Sequence, residues 1–429
     1  MGEKIISEGI DAWRISGGRN FPVLLFYRYL CETKEAGDTT VGDILFPAGA
    51  RFKDAADKAS QGTLSWKWLT DMLYKGREKL ENYRGDTILE DLFLLERMDD
   101  ALLAQLVGMT ARLEIQERDD YRKIFTACAA EESRKTGDFY TPLCLSELMA
   151  GLVASHYKVV DNLYDPACGA GFLLSGVSRV CKVKNIYGCD VNDQALRLAK
   201  ILAVIDGVDV SSLHFTCGDM LAHKGKEIYQ VQVANPPFSM NLKGKYTMPI
   251  QCGAFADWAI IQNIISHMGE RAFVILPLGV LYRNGKDKNV RKWFLEEKFL
   301  ETLILLPRRL FPGTPIPVCC MALTKDNIRD HFFLIDATDM YTKKRGGAYI
   351  SQDQVMDILG MYQKRKNIEG VAAKVRWDEI QDGNLYIRLA GTKENKEQTD
   401  WNGYEKEIRE KITTVSRLEE LIGRLCRWK

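Results

Sequence analysis

The chain of 429 residues is long enough for two or three domains, and its hydrophobic and charged fractions, 46% and 27%, are those of an ordinary globular protein. Its net charge of +1 argues against a uniformly basic protein that coats nucleic acid, but it is compatible with a local basic face. The 11 cysteines contain no Cys-x-x-Cys pair, which favours buried free thiols over disulfides or zinc, and we predict no metal site.

Two further features bear on the compartment. No apolar run approaches the ~18 residues of a membrane span, and the most apolar stretch, Ala272–Tyr282, contains a proline. The first residues, Met1–Lys4, lack the basic and then apolar order of a signal peptide. We therefore expect a cytoplasmic protein with no membrane partner.

Residues 1–118 are predicted to form a helical N-terminal domain. Apolar residues recur there at spacings of three and four, which is typical of amphipathic helices. The same pattern continues just beyond this domain. The predicted helices are Phe21–Leu30, Leu64–Tyr74, Ile88–Glu96, Asp99–Leu113, Tyr121–Arg134 and Leu143–Tyr157.

From Val159 onward, short β-branched or apolar runs alternate with helical ones, so residues 119–390 are predicted to be one α/β domain. Alternation of this kind indicates a largely parallel sheet with helices on both faces. The adjacent cysteines Cys319 and Cys320 fall within one such run and are expected in the strand core. The predicted strands are Val159–Tyr164, Lys184–Cys189, Leu213–Cys217, Val231–Ala234, Ala272–Leu276, Leu300–Leu306, Cys319–Thr324 and Phe332–Ile335.

The last segment, residues 391–429, is predicted to be a polar linker followed by a helix. Tyr404–Cys426 carries a narrow apolar seam at spacings of four and three, on an otherwise polar helix. Such a seam must be buried, either against its own domain or against a partner chain.

A glycine-rich turn, Asp165–Phe172, links the first predicted strand to the following helix. Glycines let backbone N–H groups approach a ligand closely, and the helix N-terminus attracts negative charge. A strand, a turn and a helix in this order form a nucleotide-type cradle. The third glycine of the dinucleotide pattern is missing, so this turn taken alone is also compatible with a plain tight turn.

Four polar residues follow successive predicted strands. In an open α/β sheet the ligand lies outside the carboxyl ends of the strands, so these side chains are expected at one edge. A carboxylate about 25 residues after the first strand can hold both hydroxyls of a ribose. The four residues are Asp165, Asp190, Asp219 and Asn235.

The segment Asn235-Pro236-Pro237-Phe238 is the more specific signal. The two prolines stiffen the backbone, so the Asn235 side-chain oxygen and the Pro236 carbonyl become rigid acceptors. Two such acceptors suit a planar –NH₂ group with two hydrogens to donate, and Phe238 offers a flat face to a ring.

Together these segments resemble the motif pair of amino-group DNA methyltransferases and, more narrowly, the modification (M) subunit of type I restriction-modification systems. Thr136–Pro142 resembles the segment that precedes the cradle in that family, and the likeness continues through Arg271–Leu281, Leu310–Pro317 and Phe332–Ala337. The resemblance implies a Rossmann-like S-adenosylmethionine-dependent methyltransferase sheet, preceded by an all-helical domain and followed by a C-terminal helix. It also implies transfer of a methyl group to N6 of a flipped adenine in double-stranded DNA.

The resemblance assigns roles to individual positions. The methionine end of S-adenosylmethionine would contact one set of residues: Phe139, Tyr140, Thr141, Pro142, Asp165, Gly169 and Gly171. Ala167, Ala170 and Phe172 would also belong to the cofactor site. Asp190 would bind the ribose, while Asp219 and Met220 would contact the adenine of the cofactor. Asn235 and Pro236 would hold N6 of the target adenine, Phe238 would stack on it, and Pro237 would complete the catalytic segment.

In the resembled systems a separate specificity (S) subunit reads the DNA, with a second M subunit and a restriction (R) subunit as further partners. The Tyr404–Cys426 seam is the predicted contact with the S subunit. Lys243 and Lys245 are predicted to meet phosphates. A second basic group fits either phosphate contact or a solvated surface: Arg283, Lys286, Lys288 and Arg291.

Two other readings remain open from the sequence. Cytosine N4 or a protein amide also presents an –NH₂ group to an Asn-Pro-Pro-aromatic segment. A non-catalytic scaffold of a defence complex could keep the same fold.

Overall fold

The structure is a computed structural model that describes residues 2–32, 45–46, 48–84, 93–136, 141–222, 227–242, 246–311, 316–344 and 347–389. One compact unit ends at Leu389. The tail 391–429, with the predicted Tyr404–Cys426 helix, lies outside the described residues. Among the described helices, none combines the length and apolarity that a membrane crossing requires.

Within the described residues, nine strands form one sheet and two more form a separate hairpin. In chain order the strands are β1 (Val159–Asp165), β2 (Lys182–Asp190), β3 (Leu213–Cys217), β4 (Tyr229–Ala234), β5 (Met268–Pro277), β6 (Leu300–Leu305), β7 (Val318–Thr324), β8 (His331–Asp336), β9 (Thr342–Lys344), β10 (Gly347–Tyr349) and β11 (Ala372–Arg376). Each predicted strand is present to within four residues at either end.

The helices divide into a group before the sheet and a group interleaved with its strands. The first group is α1 (Gly2–Ile15), α2 (Asn20–Glu32), α3 (Phe52–Ser60), α4 (Trp66–Arg84), α5 (Asp100–Arg112) and α6 (Arg118–Thr136). The second group is α7 (Leu143–Ala154), α8 (Phe172–Val180), α9 (Asp193–Ile205), α10 (Asp257–His267), α11 (Lys286–Glu296) and α12 (Gln352–Lys364).

The sheet has the order β3-β2-β1-β4-β5-β7-β6-β8-β11. Strands β1 to β6 and β8 run parallel, while β7 and β11 run antiparallel to their neighbours. The predicted α/β fold class is confirmed, and Cys319 and Cys320 lie fully buried in β7 as expected. Because strand order reverses between β1 and β4, a ligand is expected above the carboxyl ends of these two strands.

The N-terminal helices share an apolar core with one helix of the sheet region. Leu198, Ile201 and Ile205 of α9 belong to the same buried cluster as the apolar faces of α1, α2, α5 and α6. Ala170 and Phe172, from the glycine-rich turn, also pack against this cluster. The helical layer therefore supports the outer side of the cradle.

The prediction of a helix at Ile88–Glu96 is wrong in the part that the structure describes. Residues 94–99 have no helical hydrogen bonding. The Asn20 side chain accepts from Glu96 N at 2.6 Å and donates to Glu96 O at 2.8 Å. This paired bonding uses both backbone groups of Glu96 that a helix would need.

Candidate active site

The glycine-rich turn shapes an open cradle between β1 and α8. Gly171, the N-cap of α8, has φ of +79°, and a Cβ there would lie 2.8 Å from the Cβ of Ala199. Only glycine allows α9 to approach so closely. Gly169 has φ of +51°, and a Cβ there would meet no atom within 4 Å. The turn is therefore tight on its inner side and open on the side of Gly169.

Asp190, at the end of β2, ties this turn to the neighbouring strand. Its Oδ2 accepts from Gly169 N at 2.8 Å, and its Oδ1 accepts from Asn192 N at 2.9 Å. Each carboxylate oxygen can accept a second hydrogen bond. Asp190 therefore fixes the turn and still has capacity for two ligand hydroxyls.

Asp165, the last residue of β1, is a buried carboxyl with only 1% of its surface exposed. Burial raises the pKa of this carboxyl to about 8, although the bond from Ala167 N to Oδ1 at 3.0 Å acts in the opposite direction and nearby Asp190 adds to the rise. At neutral pH, in the absence of a ligand, the proton is retained. A cationic group placed against this carboxyl would favour its ionisation.

This pKa predicts a pH dependence of stability. Between about pH 4 and pH 8, Asp165 is protonated in the folded chain and ionised in the unfolded chain. The folded state therefore binds more protons, so this group's stabilising contribution falls as the pH rises through that range. Compared with Asp165→Asn, the wild-type chain should lose more stability between pH 5 and pH 8 in urea unfolding without cofactor. Parallel pH profiles would contradict this account.

Asp219 and Met220 lie beyond the end of β3, on the same edge. Asp219 Oδ1 accepts from Leu221 N at 2.9 Å, and Asp219 Oδ2 accepts from the Tyr246 hydroxyl at 2.7 Å. The Met220 carbonyl accepts from Asn263 Nδ2 at 3.3 Å. Tyr246 was not singled out in the sequence, because its partner lies 27 residues away across an irregular segment.

A second neighbour missed by the sequence analysis is Val191. It directly follows Asp190, and 73% of its surface is exposed. An apolar side chain left open beside a carboxylate suits the flat face of a base. A single apolar residue directly after a strand-end carboxylate and before the polar start of a helix was the sequence signal that could have identified it.

Asn235 follows β4 and lies at the centre of the edge. Its Nδ2 donates to Thr141 Oγ1 at 2.9 Å. Its Oδ1 is buried and has no hydrogen-bond partner among the described residues. An unpaired buried carbonyl costs about 1–3 kcal/mol, so this oxygen is held ready for a donor that the described residues do not supply.

The three residues after Asn235 differ in exposure. Pro236 is buried and Pro237 is exposed. Phe238 is 7% exposed, and its ring lies edge-on to Phe311 at 5.1 Å. The aromatic ring therefore belongs to the wall beneath the site, and little of it is open to a substrate.

The hydrogen bond that Thr141 Oγ1 accepts from Asn235 predicts the effect of substituting Thr141. Thr141→Val removes the acceptor that orients the Asn235 amide, so we expect the rate constant of the transfer step to fall about tenfold or more. Thr141→Ser keeps the hydroxyl and should retain most of the activity. Single-turnover kinetics would test this pair, and equal rates in the valine and serine variants would contradict it.

Buried charges support the loop that follows Phe238. Asp257 Oδ1 accepts from Ser239 N at 3.0 Å, and Asp257 Oδ2 pairs with Arg283. Ser239 has φ of +50°, a strained backbone for a residue other than glycine. The hydrogen bond from Ser239 N to the carboxylate of Asp257 holds it in this conformation.

The prediction that the second group of basic residues contacts phosphates or solvent is therefore wrong at two positions. Arg283 is paired with Asp257, and Arg291 is 1% exposed and donates to the carbonyls of Val280 and Gly383. Lys286 contacts Gln251 and Lys288 pairs with Asp382. Phe139, Tyr140, Lys243 and Lys245 lie outside the described residues.

Comparison with known proteins identifies the family. The family model described as N-6 DNA Methylase matches residues 118–400, about two thirds of the chain. The chain belongs to this family. The resemblance drawn from Asp165–Phe172 and Asn235–Phe238 is thereby confirmed at the family level.

Members with curated descriptions include methylase subunits of type I restriction enzymes. The MpnII subunit of Mycoplasma pneumoniae is 25% identical over 316 residues, covering 66% of this chain and 58% of that protein. The MjaVIII subunit of Methanocaldococcus jannaschii is 27% identical over 335 residues, covering 69% and 57%. This chain thus spans less than two thirds of the length of these relatives.

The fold recurs in a solved structure. The crystal structure of the type I restriction-modification methyltransferase subunit from Streptococcus thermophilus superposes with a TM-score of 0.74 at 19% identity. The match covers 90% of this chain and 98% of that one. At this identity the likeness establishes the shared fold.

Proposed function

We propose that this family member transfers a methyl group from S-adenosylmethionine to N6 of a flipped adenine in DNA, as the M subunit of a type I restriction-modification methyltransferase. The observation that carries the proposal is the buried, unpaired Asn235 Oδ1 at the switch point of the sheet. Family membership and the names of the curated relatives support it.

The residues at the sheet edge fit the cofactor. The open side of Gly169 leaves room for a ligand, Asp190 can accept from ribose hydroxyls, and exposed Val191 suits the face of an adenine ring. Asp165 lies beneath the turn, where the cationic methionine moiety would favour its ionised form. Bound there, S-adenosylmethionine supplies an electrophilic methyl group on a sulfonium.

Asn235 and Pro236 would hold the target amino group. An exocyclic –NH₂ has two hydrogens, which the Asn235 Oδ1 and the Pro236 carbonyl would accept. Drawing on both hydrogens turns the nitrogen lone pair out of conjugation with the ring. The N–CH₃ bond would then form as the S–CH₃ bond breaks, the sulfur would keep the electron pair of that bond, and N6 would release one proton to water. Positioning and electrostatics would supply the rate enhancement without a covalent cysteine.

The base must leave the duplex to reach an acceptor as buried as Asn235. Sequence choice is assigned to an S subunit, and a second M subunit and an R subunit are further proposed partners. The tail 391–429 is the proposed contact with the S subunit.

Nucleoside mass spectrometry of DNA incubated with the chain, its S subunit and cofactor tests the acceptor atom. N6-methyladenine is the expected product. N4-methylcytosine would show that cytosine is the acceptor base. A methylated protein without methylated DNA would overturn the assignment of DNA as the substrate. A complex that binds cofactor but methylates neither would favour the scaffold reading.

A further inference from the structure

A basic surface lies at the catalytic edge of the sheet, on elements with no role in the site described above. It consists of the turn Arg308–Arg309, which follows β6, and the hairpin β9–β10, which follows β8. Arg308, Arg309 and Lys343 are all exposed on it. We call this surface the basic arm.

The topology brings the basic arm to the same edge as Asn235. Strands β6 and β8 run parallel to each other and to β4 and β5, so their carboxyl ends share that edge. The turn Arg308–Arg309 therefore emerges beside the segment Asn235–Phe238. Phe311, two residues after the turn, contacts the Phe238 ring at 5.1 Å and ties the turn to the catalytic segment.

The turn and the hairpin are built as one unit. Ala348 N donates to Arg309 O at 3.0 Å, and Ala348 faces Lys343 across the hairpin. A Cβ on Gly347 would lie 2.9 Å from Arg309 O, so glycine is needed for this close approach. Contact through Ala348 thus places Lys343 on the same unit as the two arginines.

Arg309 adopts a backbone conformation that is unusual for its residue type. Its φ is +59°, in the left-handed region where glycine or asparagine is expected. A long cationic side chain at such a position adds backbone strain without burying surface. Strain of this kind concentrates at functional positions.

Charge and composition select nucleic acid as the occupant. Among the residues of the turn, the hairpin and the segment leading into it whose exposure the structure describes, three are exposed cations and one, Asp339, is an exposed carboxylate. Tyr341 and Tyr349 flank the hairpin with 36% and 41% of their surfaces exposed, and a phenol can donate to a phosphate oxygen. A polyanionic strand suits a surface where cations alternate with aromatic side chains, next to the proposed site of the target base.

We propose that the basic arm binds the sugar-phosphate backbone of the strand that carries the target base, next to the position from which that base is extruded. This inference rests on the proposed function, since it assigns the DNA contact for the same site. Phosphate contacts there would set the register of the strand over Asn235 and carry no sequence information.

The test is the salt dependence of DNA binding by the full chain, measured by fluorescence anisotropy with a 30-base-pair duplex of arbitrary sequence. In Arg309→Gln/Lys343→Gln the slope of log K against log salt should fall by about 2, since each lost phosphate contact removes about 0.9. Affinity at about 0.15 M salt should drop tenfold or more. Glutamine keeps the left-handed strain at position 309, so the change isolates charge.

Lys158→Gln/Lys182→Gln is the matched control. It removes the same charge from exposed positions at the amino ends of β1 and β2, on the opposite edge of the sheet. The control should keep the wild-type slope. Equal slopes in the wild type and both double variants would overturn the proposed role of the basic arm. An equal decrease of the slope in the two double variants would also overturn it.

Failure of this inference is distinguishable from failure of the proposed function. If the wild-type complex methylates DNA but the arm variant keeps the wild-type slope, only the arm assignment falls. If the wild-type complex binds cofactor but neither binds nor methylates DNA, both fall. An arm variant that keeps its slope but no longer co-elutes with the S subunit would show a protein interface instead, and would also overturn the proposal.

Discussion

Asn235→Ala is expected to lower the rate constant of methyl transfer by about 10³-fold or more. The substitution removes a buried oxygen that the described residues leave unpaired at the catalytic edge. The target amino group would then keep its lone pair in conjugation with the ring. Cofactor affinity should change less than about threefold, because the cradle is formed by other residues. Single-turnover methylation and calorimetric titration with cofactor measure the two effects separately.

Asn185→Ala provides the control for this variant. Asn185 lies near the amino end of β2, where its side chain donates to Asp161 O at 3.1 Å, remote from the catalytic edge. It should leave the transfer rate near the wild-type value. Full activity in Asn235→Ala would refute the mechanism, and a parallel loss of cofactor binding would assign Asn235 to the cradle instead.

Asp190→Ala is expected to weaken cofactor binding by about 100-fold or more. Two hydrogen bonds from ribose hydroxyls to a carboxylate would be lost, each contributing about 1.5–3 kcal/mol, and 1.4 kcal/mol corresponds to a factor of ten. The turn would also lose the acceptor of Gly169 N, which loosens the cradle. Equilibrium binding of the cofactor by calorimetry measures the change.

Two further substitutions separate these contributions. Asp190→Asn keeps one oxygen as an acceptor and should have an intermediate dissociation constant. Asp193→Ala removes a carboxylate from the exposed first turn of α9 on the same edge, and should bind as the wild type does. A dissociation constant unchanged in Asp190→Ala would remove the ribose assignment.

Local sequence signals were sufficient for eight of the nine strands of the sheet and for the acidic edge, while the edge strand β11 was missed. Each predicted run ends within one residue of the strand end in the structure, as at Asp165 and Asp190. Strand ends are predictable because alternation and turn residues act over a few positions. The edge shared by Asp165, Asp190, Asp219 and Asn235 then follows from the parallel topology alone.

Contacts between distant residues could not be predicted in this way. The bond between Asn235 and Thr141 spans 94 positions, and the bond from Arg291 to Gly383 spans 92. No local pattern distinguishes a buried arginine from an exposed one. The sequence of α11 has the pattern of a basic surface helix. Arg291 is nevertheless buried, because the segment that contains Gly383, almost a hundred residues later in the chain, packs against it.

Short elements were also missed. The strands β9 and β10 are three residues each, too short to show a period of two. The helix α3 was missed because only Phe52 and Ala55 are buried along it. The basic arm became visible only when the hairpin β9–β10 and the turn Arg308–Arg309 were seen at one edge.

We propose that Asn235 activates adenine N6 and that the chain depends on a partner for the choice of DNA sequence. Mapping of N6-methyladenine in genomic DNA tests both points, in a host that expresses the chain alone, the chain with its S subunit, or that pair carrying Asn235→Ala. Methylation at one defined sequence is expected only with the wild-type pair. Sequence-specific methylation by the chain alone would contradict the dependence on a partner, and methylation by the Asn235→Ala pair would contradict the chemistry.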